Sequence, residues 1–195
     1  MVTASGEQGI HELREYLFLP ERWPAYRRLL VDAARRVRGD RFGLLVGAWS
    51  TTDASGDIRF IHLWQYRSLD ARTALRQELA QVAAWSSEFL APAMPLIQSQ
   101  TLSVLRPRSG ADALAHYAAA GGDFHRASAF VGQAAQAAAD VAGEGVCCWT
   151  TEFPDPNEIA WFAPSGSAQS RGEGIRSLRT LRLTPLDPTN PTLLV

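Results

Sequence analysis

The segment His62-Leu63-Trp64-Gln65-Tyr66 sets a histidine and two large aromatics at alternate positions, a spacing that can carry chemistry. Strand side chains alternate between faces. His62, Trp64 and Tyr66, with Phe60 before them, would share one face while Ile61 and Leu63 take the other. Imidazole titrates near pH ~6.5 and can give or take a proton. Trp and Tyr carry polar tips that need partners when buried. The aromatic face is therefore expected to line a pocket with His62 as general acid or base, and the aliphatic face to pack under helices. The competing expectation is a buried aromatic ladder holding one hydrogen-bonded histidine. Upstream, Glu12, Arg14 and Tyr16 alternate with Leu13 and Leu17. Arg14 with Glu12 could hold a carboxylate, enolate or phenolate by paired hydrogen bonds. Equally, the two could pair with neighbouring strands across a sheet.

The elements that position these residues follow from periodicity. Residues 10–19 alternate as a strand stopped by Pro20, and Pro24 suits the first turn of a helix. Tyr26, Leu29, Leu30, Ala33 and Val37 then recur at helical steps opposite Arg27, Arg28, Arg35 and Arg36, ending near Gly39. Residues 42–51 and 58–67 read as two strands joined by a hairpin loop at 53–57. Asp70 opens a second helix as an N-cap, with Pro92 and Pro95 ending or kinking it. Residues 98–106 are a fourth strand. The order βαββαβ predicts a four-stranded antiparallel sheet with two helices on one face, an α+β ferredoxin-like unit.

A second, eroded copy is expected over 113–186. Glu15-Tyr16 to Trp23 can be laid over His116-Tyr117 to Phe124 at an offset of 101, which places the next helix at about 124–141. Trp49-Ser50-Thr51 matches Trp149-Thr150-Thr151, and Ile61-His62-Leu63-Trp64 falls on Ile159-Ala160-Trp161-Phe162. A short helix near 167–175 and a last strand at 178–183 would complete it. The expected organisation is one unit at 10–107, a degenerate repeat at 113–186, and tails at 1–9 and 187–195.

Composition excludes several classes of function. The chain has 195 residues and a net charge of −1, which gives no electrostatic footprint for nucleic acid or an anionic membrane. All 19 basic residues are arginine, so neither a Schiff-base lysine nor a P-loop lysine exists. Adjacent Cys147 and Cys148 supply neither a disulfide framework nor a metal-ligand spacing. The four histidines lack ligand spacing, so no metal and no cofactor are expected. No apolar run is long enough for a membrane span, and residues 1–9 lack a signal-peptide pattern. A cytoplasmic location is expected.

With His11-Glu12-Leu13-Arg14-Glu15-Tyr16, Gly47-Ala48-Trp49, the His62 pentapeptide, Arg72, Arg76 and Trp85 taken together, the chain resembles the NIPSNAP family over about 10–107. The resemblance implies a dimeric α+β barrel, in which two ferredoxin-like units close around a small cavity. A second unit in the same chain would make the barrel an intrachain pseudo-dimer, whose helix-free inner face would carry the His62 set. On that reading His62 and Arg14 are the expected catalytic residues. Glu12, Tyr16, Trp49, Phe60, Trp64 and Tyr66 are the expected substrate-binding residues. A small-molecule ligand is the expected partner, with the protein a monomer by internal pairing or a homodimer. A cofactor-independent cyclase, isomerase or monooxygenase-like enzyme for a compact aromatic or polyketide-like metabolite is the leading function. A non-catalytic binding or scaffold protein, and a haem-binding barrel with His62 as axial ligand, are the alternatives.

Overall fold

Alternating apolar residues in a chain with no charged runs produce eight strands, each with one face that must be covered. The computed structural model describes residues 9–164 and 174–186. The strands are β1 (Ile10–Phe18), β2 (Leu44–Thr52), β3 (Ile58–Tyr66), β4 (Ser99–Ser109), β5 (Gly122–Ala129), β6 (Cys147–Phe153), β7 (Glu158–Ala163) and β8 (Ile175–Pro185). They form a closed, wholly antiparallel barrel in the order β1-β3-β2-β8-β5-β7-β6-β4. Each half is a four-stranded sheet of ferredoxin-like order, β4-β1-β3-β2 and β8-β5-β7-β6. The halves join where β2 meets β8 and where β4 meets β6. Closure within one chain leaves no open sheet edge of either half unpaired along its whole length.

Among the described residues five longer helical segments accompany the strands, with a 3-10 turn at Gly39–Phe42. Segment α1 covers residues 23–38, with a π-helical turn at Leu30–Ala34 between α-helical Trp23–Leu29 and Arg35–Arg38. Helix α2 is Leu69–Ala80, capped by the Ser68 hydroxyl rather than by Asp70. Segment α3 covers 85–96 and begins with a π-helical turn at Trp85–Leu90. It runs on through Pro92, which lies in Ala91–Ala93 directly after that turn. Helices α4 (Ala111–Ala120) and α5 (Ala134–Val141) belong to the second half of the chain.

The second half departs from the sequence expectation in register. His116 and Tyr117 lie on helix α4, not on a strand, and Phe124 lies on β5, not on a helix. Alanine is the strongest helix former, and the run Ala111–Ala120 lies between Gly110 and Gly121, both at φ 73°. The pairings Trp49↔Ile61 and Trp149↔Ala160 make Ala160 the counterpart of Ile61, so the counterpart of His62 is Trp161. The second hairpin is one residue shorter, and a slip of one residue exchanges the two faces of a strand. The helix expected at 167–175 and the tail at 187–195 fall largely outside the described residues; Ile175 already belongs to β8.

The faces are reversed relative to expectation. The barrel interior holds Leu13, Trp49, Ile61 and Leu63 from the first half against Phe124, Trp149, Phe162 and Leu183 from the second. An eight-stranded barrel is just wide enough for side chains to fill, and this apolar cluster fills that part of it. Leu114 and Tyr117 of α4 close one end, where the Trp49 indole donates to the Tyr117 carbonyl at 2.7 Å. At the other end Glu15 accepts two hydrogen bonds from Arg179, at 2.9 and 2.7 Å, and one from Arg59. The His62 face lies outside the barrel, beneath α1 and α3.

Candidate functional site

The pocket of the first half forms between the outer face of its sheet and the helices above it. Its floor is Arg14 and Tyr16 on β1, Leu45 and Ala48 on β2, and Phe60, His62 and Trp64 on β3. Its roof is Tyr26, Leu30, Ala34 and Arg38 on α1, with Trp85, Phe89 and Leu90 on α3. The roof residues of α1 recur every fourth position. In an α-helix such a stripe drifts around the axis, and the wider π turn at Leu30–Ala34 offsets the drift. The second π turn, Trp85–Leu90, packs against the first, so both irregular turns sit over the same space. π-Bulges of this kind are frequent at functional sites.

The cavity itself is about 60 Å³, room for a few water-sized positions. A porphyrin does not fit it with the helices in these positions. A second depression of about 190 Å³ shares the walls Arg14, Arg38, Trp85 and Leu90 and adds Arg76 and Ser86. These four shared side chains form the partition between the buried cavity and the outer vestibule.

His62 is buried at 7% exposure, with its ring stacked on Phe60 at 4.7 Å and edge-on to Tyr16 at 5.1 Å. The Trp64 indole N–H donates to His62 Nδ1 at 2.8 Å. Indole nitrogen is only a donor, so Nδ1 must be the acceptor and the neutral ring carries its proton on Nε2. That Nε2 is buried and has no partner. Burial, then the charges of Arg14 and Arg38, hold the His62 pKa well below 6.5, so the ring is neutral at neutral pH. The site therefore presents a fixed N–H donor.

Arg38 is the residue that sequence reasoning missed. It is 6% exposed, lies flat on the Trp64 ring with its guanidinium carbon 3.3 Å from the centroid, and donates to Phe42 O at 3.0 Å and Tyr66 Oη at 3.1 Å. Its Nε has no partner, and it pairs with no carboxylate among the described residues. The four-residue spacing Tyr26, Leu30, Ala34, Arg38 was the available signal, because it places Arg38 on the roof stripe. Gly43, at φ 117°, leaves room for the Tyr66 ring that receives Arg38; a Cβ there would lie 2.6 Å from Tyr66.

Of the expected site residues, Arg14, Tyr16, Phe60, His62 and Trp64 line the cavity. Glu12 does not. It lies fully buried behind Arg14, accepts from Arg14 and Arg72, and sits 3.5 Å from Arg76. Arg72 is thereby a tie from α2 to the sheet. Tyr66 stands behind Trp64 and meets the site only through Arg38. Trp49 is in the barrel core, completely buried and away from His62. Among the described residues no group of three His, Cys, Asp or Glu could hold a metal ion, and no helix is long and apolar enough to cross a membrane.

A closed antiparallel barrel of two ferredoxin-like halves, with a polar pocket under the helices of the first half, defines a dimeric α+β barrel protein folded within a single chain. Comparison gives the family: the NIPSNAP family model matches residues 11–111, and the chain belongs to that family. Protein NipSnap homolog 3B of Mus musculus is 30% identical over 60 residues, 31% of this chain. The chain spans only 24% of the length of that curated relative. A NIPSNAP family protein of Agrobacterium tumefaciens is 27% identical, with 55% of this chain and 93% of that one covered at a TM-score of 0.49. A candidate monooxygenase of Fusobacterium nucleatum is similar over 92% of this chain and 93% of its own, at a TM-score of 0.58 and 11% identity. That likeness concerns the fold alone.

Proposed function

We propose that the first-half pocket binds a small molecule and that the protein is a cofactor-independent enzyme of cyclase, isomerase or monooxygenase-like type. Its substrate is a compact aromatic or polyketide-like metabolite. The observation that carries this reading is the buried, unpartnered Nε2 of His62, a residue of the cavity wall, with its proton fixed there by Trp64. A neutral imidazole in a dry site acts as an electrophile: it donates to an oxygen on which negative charge develops. This narrows the role of His62 from general acid or base to hydrogen-bond donor, because neither ring nitrogen is free to accept a proton. Arg14, oriented by Glu12 and donating to Tyr16 Oη at 3.1 Å, steadies the same charge. The same reading takes 10–107 and 113–186 as two copies of one unit, and the chain as a cytoplasmic monomer whose barrel needs no second copy.

The test compares wild type, His62→Ala and His62→Gln on planar β-diketones and phenols as trial substrates. Losing one oxyanion donor costs about 10²–10³ in rate. His62→Ala should show that loss with affinity within a few-fold of wild type. His62→Gln should recover part of it, because an amide N–H donates without relaying a proton. Equal loss in both variants would restore the acid–base role instead. Full turnover in His62→Ala would remove His62 from the chemistry. If no small molecule binds at all, the non-catalytic binding or scaffold reading takes its place.

A further inference from the structure

We infer that the ligand of this pocket is an anion with a planar, carboxylate-like oxyanion head and an apolar tail, and that it enters head first with Arg38 as its counter-ion. The inference rests on the pocket reading above and deepens it. Four guanidinium groups, those of Arg14, Arg38, Arg72 and Arg76, gather around a single carboxylate, Glu12. Three of them share that carboxylate, while Arg38 has only a ring face, a carbonyl and a phenol. Burying a cation is costly unless an opposite charge meets it, and a ring face returns only part of that cost. No aspartate or glutamate lines either the cavity or the vestibule.

The donors agree with the charge. His62 Nε2–H and Arg38 Nε–H are both buried and both without partners, so two residues of the cavity wall carry hydrogens that only an acceptor can satisfy. Size then fixes orientation. About 60 Å³ takes a carboxylate-sized group but not an aromatic ring. The head must therefore lie against His62 and Arg38 while the tail extends past Trp85 and Leu90 into the vestibule, where Arg76 stands at the outer wall. Excess positive charge along this path also raises the local concentration of an incoming anion.

The probes are sodium benzoate and its neutral isostere benzamide, with sodium acetate as a head without a tail. Binding is read from tryptophan fluorescence, since Trp64 and Trp85 line the walls, and from the ¹⁵N shift of His62 Nε2. Benzoate should bind about tenfold to a hundredfold tighter than benzamide, more tightly than acetate, and with an affinity that falls as salt is added. Arg38→Gln should erase the preference for benzoate, and Arg38→Lys should keep part of it. The wild-type comparison decides the matter even if the Arg38 variants fail to fold. Benzamide binding as tightly as benzoate, with both moving the ¹⁵N shift of His62 Nε2, would overturn the anion and leave the pocket reading standing. No response of Trp fluorescence or of the His62 shift to any probe at millimolar concentration would overturn both.

Discussion

The two halves of the barrel share strand order and handedness, yet their outer faces have been put to opposite uses. In the first half, large and polar side chains fill the layer between sheet and helices: Tyr16, Phe60, His62 and Trp64 below, Tyr26, Arg38, Trp85 and Phe89 above. In the second, that layer holds Trp161 and Cys148 but is otherwise rich in small residues, with Ala127, Ala129 and Ala163 on the strands and Ala134, Ala137, Ala138 and Val141 on α5. Register pairs the positions. Where the first half has Arg14, Tyr16 and His62, the second has His125, Ala127 and Trp161. Small side chains let a short helix settle closely onto its sheet. Large, rigid rings and guanidinium groups cannot interdigitate so closely, and a cavity remains. The pocket is thus a product of side-chain size and rigidity on one face, since the backbone topology is common to both halves.

The sharpest way to break this comparison is at Glu12 and its counterpart Asp123, each three residues before the paired positions Glu15 and Arg126. Glu12 is fully buried among three arginines, and removing its charge leaves them unmatched. Breaking a buried ion pair on one side costs about 3–5 kcal/mol. Glu12→Gln should therefore lose that much stability in urea unfolding and release α2 from the sheet through Arg72. Asp123 pairs with Arg182, whose side chain is 65% exposed, and such pairs contribute less than about 1 kcal/mol. Similar losses for Glu12→Gln and Asp123→Asn would mean that the arginine cluster is a solvated surface feature.

Acidification tests the seam between the halves. The Trp149 indole of the second half donates to Nδ1 of His11 in the first at 2.9 Å, and burial lowers the His11 pKa from 6.5 to about 4. The unfolded chain takes up this proton before the folded one does. Stability from His11 is complete above pH 6.5, falls as pH drops from 6.5 to about 4, and levels off below. The span corresponds to about 3 kcal/mol, and His62, also depressed, adds in the same direction. His11→Gln, whose amide oxygen accepts from Trp149, should flatten the slope between pH 7 and pH 4.5. An unchanged slope would assign acid sensitivity to groups other than this seam.

Much of the first half was legible because its signals are strong and local: period-two alternation at 10–18 and 58–66, helical steps after Pro24, and a hairpin loop between β2 and β3. That His62, Arg14, Tyr16, Phe60 and Trp64 share one wall was legible too, whereas Glu12, Trp49 and Tyr66 do not line it. Which side they converge on was not legible. Alternation separates a strand into two faces but does not say which face meets a helix, and the content of the barrel is decided by partners a hundred residues away. Trp49 illustrates this: its ring lies over Gly47 and its indole reaches Tyr117 on α4, a partner that no local pattern announces. Arg38 was hidden for a related reason. Among so many helical arginines, the one that turns inward is distinguished only by spacing from Tyr26.

The smallest of these effects separates the halves most directly. Ala137 on α5 is 1% exposed and packed in the apolar cluster of the second sheet. Inserting extra methylenes into such a contact costs about 1–3 kcal/mol, so Ala137→Leu should lower the unfolding midpoint by several degrees. At this chain length about 1 kcal/mol moves the midpoint by 2–4 °C. Ala34 on α1 is also buried, but its side chain forms part of the cavity wall. A leucine there has empty space to enter, so Ala34→Leu should stay within about 1 kcal/mol of wild type. It should also abolish benzoate binding, because the added carbons occupy the volume that the oxyanion head requires. Equal destabilisation by the two leucines would mean that the first half is packed as tightly as the second. The space above His62 would then be no pocket, and the difference between the halves would be one of composition alone.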